Sequence, residues 1–316
     1  MAMRRLSGLS IKPTFSLAAI LVVTAACGIV TGHSRSLREL PSAALASFSS
    51  VLDYQIGPTW GKVIVTRDSL AKESPAFQRA AKATARVRLG FGGATAFVIG
   101  EKDGKTILAT NHHVIQDQAG CNSAKISFEM LNIINLRCDR LIKTSTDLDL
   151  TIFSISGLSQ AQQETLRTVS KSFDPGETRK GTKLLTVGYG VAGNDGQKNL
   201  MSGQDSDCKT FSPDGEVRYM ADPDTFNPGP YKTWMFATGC DVSHGDSGSA
   251  IVDRETGDVV GILSTGKIPK DKVVREAGFL SRIFDDVSEE VWMELTYAVP
   301  ASKIVEIFSQ DLADLK

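Results

Sequence analysis

The chain has 316 residues, a formal net charge of −1 and 41% hydrophobic residues, which is the composition of a globular protein with a well-buried core. The near-zero net charge argues against a nucleic-acid-binding protein, which normally presents a basic face. Length alone allows one large domain or two domains of moderate size.

Residues 1–27 have the layout of a secretory signal peptide. A short basic start, MAMRR, precedes an apolar run from Phe15 to Val23, and small residues follow at 24–26. The apolar run is shorter than the roughly 20 residues that span a bilayer, so we expect no stable membrane span. A retained membrane anchor or a buried helix is the alternative.

These features predict an exported protein, either secreted or periplasmic. Cys27 follows the small residues directly, so attachment of a lipid anchor at Cys27 is a further alternative. Thr24 argues against it, because it stands where a lipoprotein signal usually carries a leucine-like residue.

Four cysteines remain once Cys27 is set aside: Cys121, Cys138, Cys208 and Cys240. An even number of cysteines in an exported chain indicates two disulfides, and three pairings are open. We favour Cys121–Cys138 and Cys208–Cys240, because each pair then lies within one half of the chain. A metal site is not expected, since the cysteines are scattered and form no CxxC motif.

Residues 28–84 precede the region of regular strand patterning, and we interpret them as an N-terminal extension or a pro-segment. Within them, residues 76–85 (AFQRAAKATA) are predicted to form a short helix.

From residue 86 onward the sequence is patterned as short strands between Gly, Pro and Asp turns. Residues 86–91 alternate polar and apolar side chains, and the turn at Asp103 and Gly104 between two strand-like runs is typical of a β-hairpin. Strand-like runs occur at 92–100, 105–111, 124–130, 150–155, 183–190, 217–220, 234–238, 249–253 and 259–266. This pattern predicts an all-β barrel or sandwich. A strong helical pattern is recognised only at 301–308.

Two short motifs contain residues suited to nucleophilic catalysis. His112 and His113 lie in ATNHHVI, directly after a predicted strand, and Ser247 lies in GDSGSA, directly before another. A serine hydroxyl needs an adjacent base, and that base needs a group that orients it. An aspartate that follows the histidines and precedes Ser247 would complete such a set, and Asp147 and Asp149 in TDLDLTIF are the candidates.

These motifs resemble those of the bacterial trypsin-like serine proteases. TNHHV resembles the signature around the catalytic histidine of that family, which selects His113 as the base, and GDSGSA resembles the signature of the nucleophile, which selects Ser247. A strand would place Asp147 and Asp149 on one face, so the alternation of side chains along a strand cannot decide which of them is the catalytic residue. The resemblance selects Asp149, because DLTIF matches the family's pattern. The order His, Asp, Ser is chymotrypsin-like.

The resemblance covers residues 86–310 and implies the chymotrypsin-like fold. That fold has two six-stranded antiparallel β-barrels, here about 85–175 and 176–316, with a C-terminal helix. Residues 185–190 resemble the strand that opens the second barrel, and residues 297–304 resemble the last strand where it runs into the helix.

The resemblance also implies which residues bind the substrate. The backbone N–H groups of Gly245 and Ser247 would form the oxyanion hole. Residues 259–266 resemble the strand of the specificity pocket, where Ser264, Thr265 and Gly266 would pair with the substrate backbone as an added strand.

Two further residues are candidates for substrate binding. Asp241 lies six residues before Ser247, where trypsin-type enzymes place the acid that binds Lys or Arg. This predicts a mild preference for basic residues at the cleaved position. The alternative is that Asp241 is an acidic residue with a structural role in a turn. His244 is expected at the rim of the site, where contact with the substrate is the alternative.

The sequence departs from the family's pattern in two places. It has no Ile-Val-Gly-Gly start, so activation by a freed N-terminus that inserts near Asp246 is not supported, and we interpret Asp246 as a turn residue with local hydrogen bonds. Residues 268–295 are longer and more charged than the usual connection before the last strand, and we interpret them as a lid, an exosite or decoration.

The sequence therefore predicts an exported serine endopeptidase that acts on proteins or peptides without a metal or cofactor. The alternative function is that of a catalytically silent trypsin-like barrel, secreted as a binding or adhesion protein. The presence of all three candidate catalytic residues argues against that alternative.

Overall fold

The computed structural model describes residues 50–90, 92–221, 231–265, 272–286 and 288–315. The described residues belong to one compact unit, Ala43–Lys316. The predicted signal peptide, Cys27 and Gly266 lie outside the described residues. Within those residues, no helix is both long and apolar enough to cross a membrane.

Strands dominate the described part of the chain, and every pair of neighbouring strands is antiparallel, which confirms the predicted all-β class. The strands are β1 (Lys62–Ile64), β2 (Thr84–Leu89), β3 (Gly92–Lys102), β4 (Lys105–Thr110), β5 (Lys125–Phe128), β6 (Ile133–Ser145), β7 (Leu150–Ser156), β8 (Leu184–Gly188), β9 (Met201–Gly203), β10 (Arg218–Ala221), β11 (Lys232–Thr238), β12 (Ala250–Asp253), β13 (Val259–Thr265) and β14 (Thr296–Pro300).

The first half of the protein is a closed six-stranded barrel with the order β2-β3-β4-β7-β6-β5. The predicted hairpin turn joins β3 to β4, and Asp103 and Gly104 both have positive φ angles, +52° and +71°, as a tight two-residue turn requires. Inward-facing residues such as Val98, Leu108 and Phe153 are fully buried and form its core. The barrel thereby fixes the ends of β4 and β7, where candidate catalytic residues lie.

The second half is an eight-stranded sheet with the order β1-β9-β8-β12-β13-β14-β11-β10. Its strand number differs from the six that were expected, partly because β1, from the predicted N-terminal extension, pairs with β9 at one edge. β1 and β9 have three residues each, too few to show an alternating pattern in the sequence.

Eight α-helices lie among the described residues: α1 (Val51–Tyr54), α2 (Arg67–Leu70), α3 (Pro75–Ala83), α4 (Gln118–Ser123), α5 (Gln160–Val169), α6 (Phe279–Asp285), α7 (Glu289–Glu294) and α8 (Ala301–Ala313). The expected helices at 76–85 and at the C-terminus correspond to α3 and α8. Helix α5 was missed, although Ser159 and Gln162 form a capping box at its start, which is a recognisable signal in the sequence.

The described part of residues 268–295 is packed against the second sheet. Leu280 of α6 and Trp292 of α7 are buried in a cluster with Ile56, Phe211 and Tyr297. These helices therefore contribute to the core, and the interpretation of this segment as a lid, an exosite or decoration stays a prediction.

Both favoured disulfides are present. Cys121 is bonded to Cys138 and Cys208 is bonded to Cys240, so each bridge lies within one half of the chain as predicted. Two disulfides are typical of a protein that lies outside the cytoplasm.

Candidate active site

The candidate catalytic residues lie where the barrel meets the second sheet. His113 lies in the turn that follows β4, Asp149 is the last residue of the turn before β7, and Ser247 lies in the loop before β12. The first two residues come from the barrel and the third comes from the sheet, so the site depends on contacts between the two halves.

Asp149 holds His113 through both the backbone and the imidazole ring. The backbone N–H of His113 donates to Asp149 Oδ1 at 3.0 Å, and His113 Nδ1 lies 2.8 Å from Asp149 Oδ2. The ring must donate from Nδ1 to this carboxylate, which leaves Nε2 as the basic nitrogen of the neutral ring. The His113 ring can therefore accept a proton at Nε2 from a nearby hydroxyl group.

The turn before β7 gives Asp149 its position. Its φ angle is +38°, its N–H donates to the carbonyl of Thr146 at 3.0 Å, and Asn111 Nδ2 donates to the Asp149 carbonyl at 3.0 Å. Asp147 and Asp149 therefore lie in a turn, and the argument from strand phase was wrong, because regular pairing begins only at Leu150.

The neighbouring residues of each motif have other partners. Nδ1 of His112 lies 2.6 Å from Thr144 Oγ1. The Asp147 carboxylate accepts a hydrogen bond from the Tyr219 hydroxyl at 2.7 Å. The structure thus pairs His113 with Asp149, and not His112 with Asp147.

Ser264 makes a contact with this pair that the sequence did not reveal. Its hydroxyl donates to Asp149 Oδ2 at 2.7 Å, and the bond is buried. Because Ser264 lies on β13, the carboxylate of Asp149 is bound from both halves of the protein. The predicted pairing of the Ser264 backbone with the substrate stays a prediction. No local motif marks the side-chain contact, which joins residues 115 positions apart.

Two glycines allow the sharp turn around Ser247. Gly245 and Gly248 have φ angles of +94° and +83°, a region that side chains disfavour. A Cβ atom at Gly248 would collide with the Thr95 carbonyl and with the Thr110 hydroxyl. The loop can approach the barrel this closely only because no side chain is present there.

Hydrogen bonds hold the Ser247 loop between the two halves. The N–H of Thr95 on β3 donates to the Ser247 carbonyl at 2.9 Å, and the Thr95 hydroxyl donates to the Gly245 carbonyl at 2.8 Å. On the other side, the N–H of Gly248 donates to the carbonyl of Leu263, the neighbour of Ser264, at 3.0 Å. These bonds hold the half-buried Ser247 where the barrel meets the second sheet, and His113 and Asp149 lie at the same junction.

Asp246, next to Ser247, has a local partner and a distant one. Its Oδ2 accepts the N–H of Ser243 at 2.9 Å, which agrees with its interpretation as a turn residue. Its Oδ1 lies 2.5 Å from Nζ of Lys62 on β1, in a buried ion pair. The sequence did not indicate this partner, because Lys62 is 184 residues away.

Asp241 uses both carboxylate oxygens to bind the backbone. Oδ1 accepts the N–H of Ile56 at 2.7 Å and Oδ2 accepts the N–H of Gly61 at 2.6 Å. The side chain is buried, and burial raises the pKa of its carboxyl to about 7. These contacts favour the structural alternative over an acid that binds a basic substrate side chain, and the specificity role stays a prediction.

The structure also describes His244 and Thr265, two other predicted substrate-binding residues. His244 is half-buried, and its ring meets the buried Tyr54 edge-on at 5.7 Å between centroids. Thr265 ends β13, where its backbone is in register with Tyr297. Their contact with a substrate stays a prediction, as does that of Gly266 outside the described residues.

The sequence model of the trypsin-like peptidase domain matches residues 94–262, more than half of the chain. The chain therefore belongs to the family of proteins with a trypsin-like peptidase domain. The matched region contains His113, Asp149 and Ser247. No curated protein matches the chain at a significant level.

Similar solved structures include two proteases. The active form of the Rv3671c protease from M. tuberculosis is 17% identical with a TM-score of 0.49, and the match covers 80% of this chain and 90% of that one. A Glu endopeptidase in complex with MPD is 13% identical with a TM-score of 0.49, and the match covers 82% of this chain and 99% of that one.

The contacts of Asp241 lead to a test of its role. We expect Asp241→Asn to lower the free energy of unfolding by about 1–3 kcal/mol, because an amide accepts with only one atom and would leave a buried backbone N–H unsatisfied. Urea unfolding measures this loss. The control is Asp195→Asn, because the side chain of Asp195 is fully exposed. An unchanged midpoint would contradict the structural role.

Proposed function

We propose that the protein is a serine endopeptidase in which Ser247, His113 and Asp149 form a catalytic triad. The observation that carries this proposal is the double contact of His113 with the Asp149 carboxylate, in a chain that belongs to the trypsin-like peptidase family. The proposal requires that the Ser247 hydroxyl reach Nε2 of His113 when a substrate is bound.

Each residue of the triad has a distinct role in the proposed reaction. The Ser247 oxygen attacks the carbonyl carbon of the peptide bond while His113 Nε2 takes the hydroxyl proton. His113 then gives that proton to the leaving amine, and the acyl group stays on Ser247 until a water molecule, activated by the same imidazole, releases it. Asp149 fixes the tautomer of the ring and stabilises its cationic form.

The negative charge that develops on the substrate oxygen also needs a partner. We assign this role to the backbone N–H groups of Gly245 and Ser247. The sharp turn that the two glycines permit supports the assignment, because the positive φ angles of Gly245 and Gly248 turn the backbone tightly around the nucleophile. One such donor is typically worth about 2.7–4 kcal/mol of transition-state stabilisation.

The substrate would be a protein or peptide that binds in extended form. Ser264 and Thr265 at the end of β13, together with the following Gly266, would pair with its backbone as an added strand. The preference for basic residues that Asp241 would confer has the least support within this proposal, because both oxygens of that carboxylate already accept backbone N–H groups.

The protein would reach its substrate after export from the cell that makes it. The apolar run at Phe15–Val23 supports removal of a signal peptide at about residue 27, and the two disulfides support folding in an oxidising compartment. Lipid attachment at Cys27 is the alternative fate of this segment.

A fluorophosphonate probe tests the assignment of the nucleophile. We expect the wild-type protein to react at one site, and Ser247→Ala to abolish the reaction and to lower kcat for a peptide substrate by about 10⁶-fold, as removal of a triad nucleophile does in related chemistry. The exposed Ser206, replaced in Ser206→Ala, provides the control. Labelling that persists in Ser247→Ala would contradict the assignment, and an inert wild type would favour the silent binding barrel.

Reporter peptides test the preference at the cleaved position. If Asp241 contributes to specificity, the wild type will cleave an Arg peptide faster than matched Phe and Glu peptides. Comparison of kcat/KM for the three peptides measures this. Equal or faster cleavage of the Glu peptide would end the hypothesis of a basic preference.

A further inference from the structure

We infer that Lys62 is a positioning residue for the proposed catalytic centre. Its ammonium group holds Asp246 and thereby the turn that carries Ser247. The segment 54–65, which we call the anchor segment, would then be part of the active protein and not a detachable pro-segment. The inference rests on the proposed function, since it concerns the same site.

The ion pair itself is the first observation. Nζ of Lys62 lies 2.5 Å from Oδ1 of Asp246, and each side chain is only 1% exposed. A buried charge is strongly disfavoured without a partner. If Lys62 were absent, the buried Asp246 carboxylate would lose its charged partner, and a movement of its side chain toward water would alter the loop.

Asp246 controls the shape of the turn around the nucleophile. It lies between Gly245 and Ser247, the two proposed oxyanion donors. Its N–H donates to the Ser243 carbonyl at 3.0 Å, and its own carbonyl accepts the N–H of Ser249 at 2.9 Å. A rotation of Asp246 would therefore move both proposed donors, whereas the barrel turns that carry His113 and Asp149 would keep their places.

The anchor segment is bound to the second sheet along its length. Lys62 on β1 is in register with Gly203 on β9, and β9 pairs with β8, the neighbour of β12. Beyond β1, the N–H of Val65 donates to the Leu200 carbonyl at 2.8 Å. Lys62 is 4% exposed in this position, whereas its neighbours on β1, Val63 and Ile64, are 58% and 45% exposed.

The remainder of the anchor segment is held by the start of the nucleophile loop. Asp241 accepts the N–H groups of Ile56 and Gly61, and Tyr54 and Ile56 are each 1% exposed. A Cβ atom at Gly61 would collide with the carboxylate of Asp205, so the segment closely approaches the loop that follows β9. Residues 241–246 therefore contact the anchor segment at three points, through Asp241, His244 and Asp246.

A merely structural role for Lys62 predicts a different result from a positioning role. If Lys62 only stabilises the fold, the fraction of a variant that folds will turn over substrate normally. If Lys62 positions the turn, folded variants will still bind peptides but will stabilise the transition state poorly. Peptide boronic acids, which mimic the tetrahedral intermediate, and product peptides, which do not, distinguish these cases.

The experiment compares the full-length wild type with Lys62→Met and with Lys72→Met, an exposed lysine in the same region. We expect kcat of Lys62→Met to fall by about 10²–10³-fold, the effect of losing one oxyanion donor, and boronate affinity to fall in parallel. KM and product-peptide affinity should change little. Lys72→Met should match the wild type.

A double variant covers the case in which Lys62→Met fails to fold. Lys62→Met with Asp246→Asn removes both charges, which avoids an unpaired buried carboxylate, and the amide oxygen can still accept the Ser243 N–H. We expect this variant to unfold near the wild-type temperature and to remain slow. A folded single or double variant with wild-type kcat would overturn the inference.

The wild type supplies a test that needs no variant. We expect the intact mass of the fluorophosphonate-labelled protein, measured after denaturation, to correspond to a chain that includes Lys62. Labelled protein that begins after Lys62, with the cleaved segment absent, would overturn the inference about Lys62 and leave the proposed function intact. A wild type that does not react with the probe would overturn the proposed function as well, so the two failures are distinguishable.

Discussion

The carboxylate of Asp149 is the interaction on which the arrangement of the site depends. It accepts the backbone N–H and the ring Nδ1–H of His113 from the barrel, and the hydroxyl of Ser264 from the second sheet. A nearly buried carboxylate needs such donors to offset the loss of water. The same bonds that stabilise the charge therefore fix the imidazole and join the two halves at the site.

The loop around Ser247 depends in a similar way on contacts that are distant in the sequence. Thr95 binds it from the barrel, Leu263 binds it from β13, and Lys62 neutralises Asp246 from the N-terminal side. Within the loop, only the two glycines with positive φ are a local requirement. The shape of this turn therefore depends on contacts with both the barrel and the sheet, so the site is inseparable from the fold.

Local chemistry explains what the sequence could predict. The turn at Asp103 and Gly104, the alternating strands and the C-terminal helix all follow from nearby residues, and the cysteine pairing agreed with their distribution along the chain. Short elements such as β1 and β9 carry too few residues for a pattern. The partners of Asp241 and the distant partner of Asp246 were not predictable, because they are backbone N–H groups and a lysine about 180 residues away, and nothing local marks Lys62 as buried.

A crystal structure of the protein with a peptide boronic acid tests the central claim most directly. The account predicts a covalent bond between boron and Oγ of Ser247, with His113 Nε2 within hydrogen-bonding distance of that centre and a boronate oxygen at the amides of Gly245 and Ser247. A boronate bound elsewhere, or a Ser247 hydroxyl that His113 cannot reach in the complex, would contradict it.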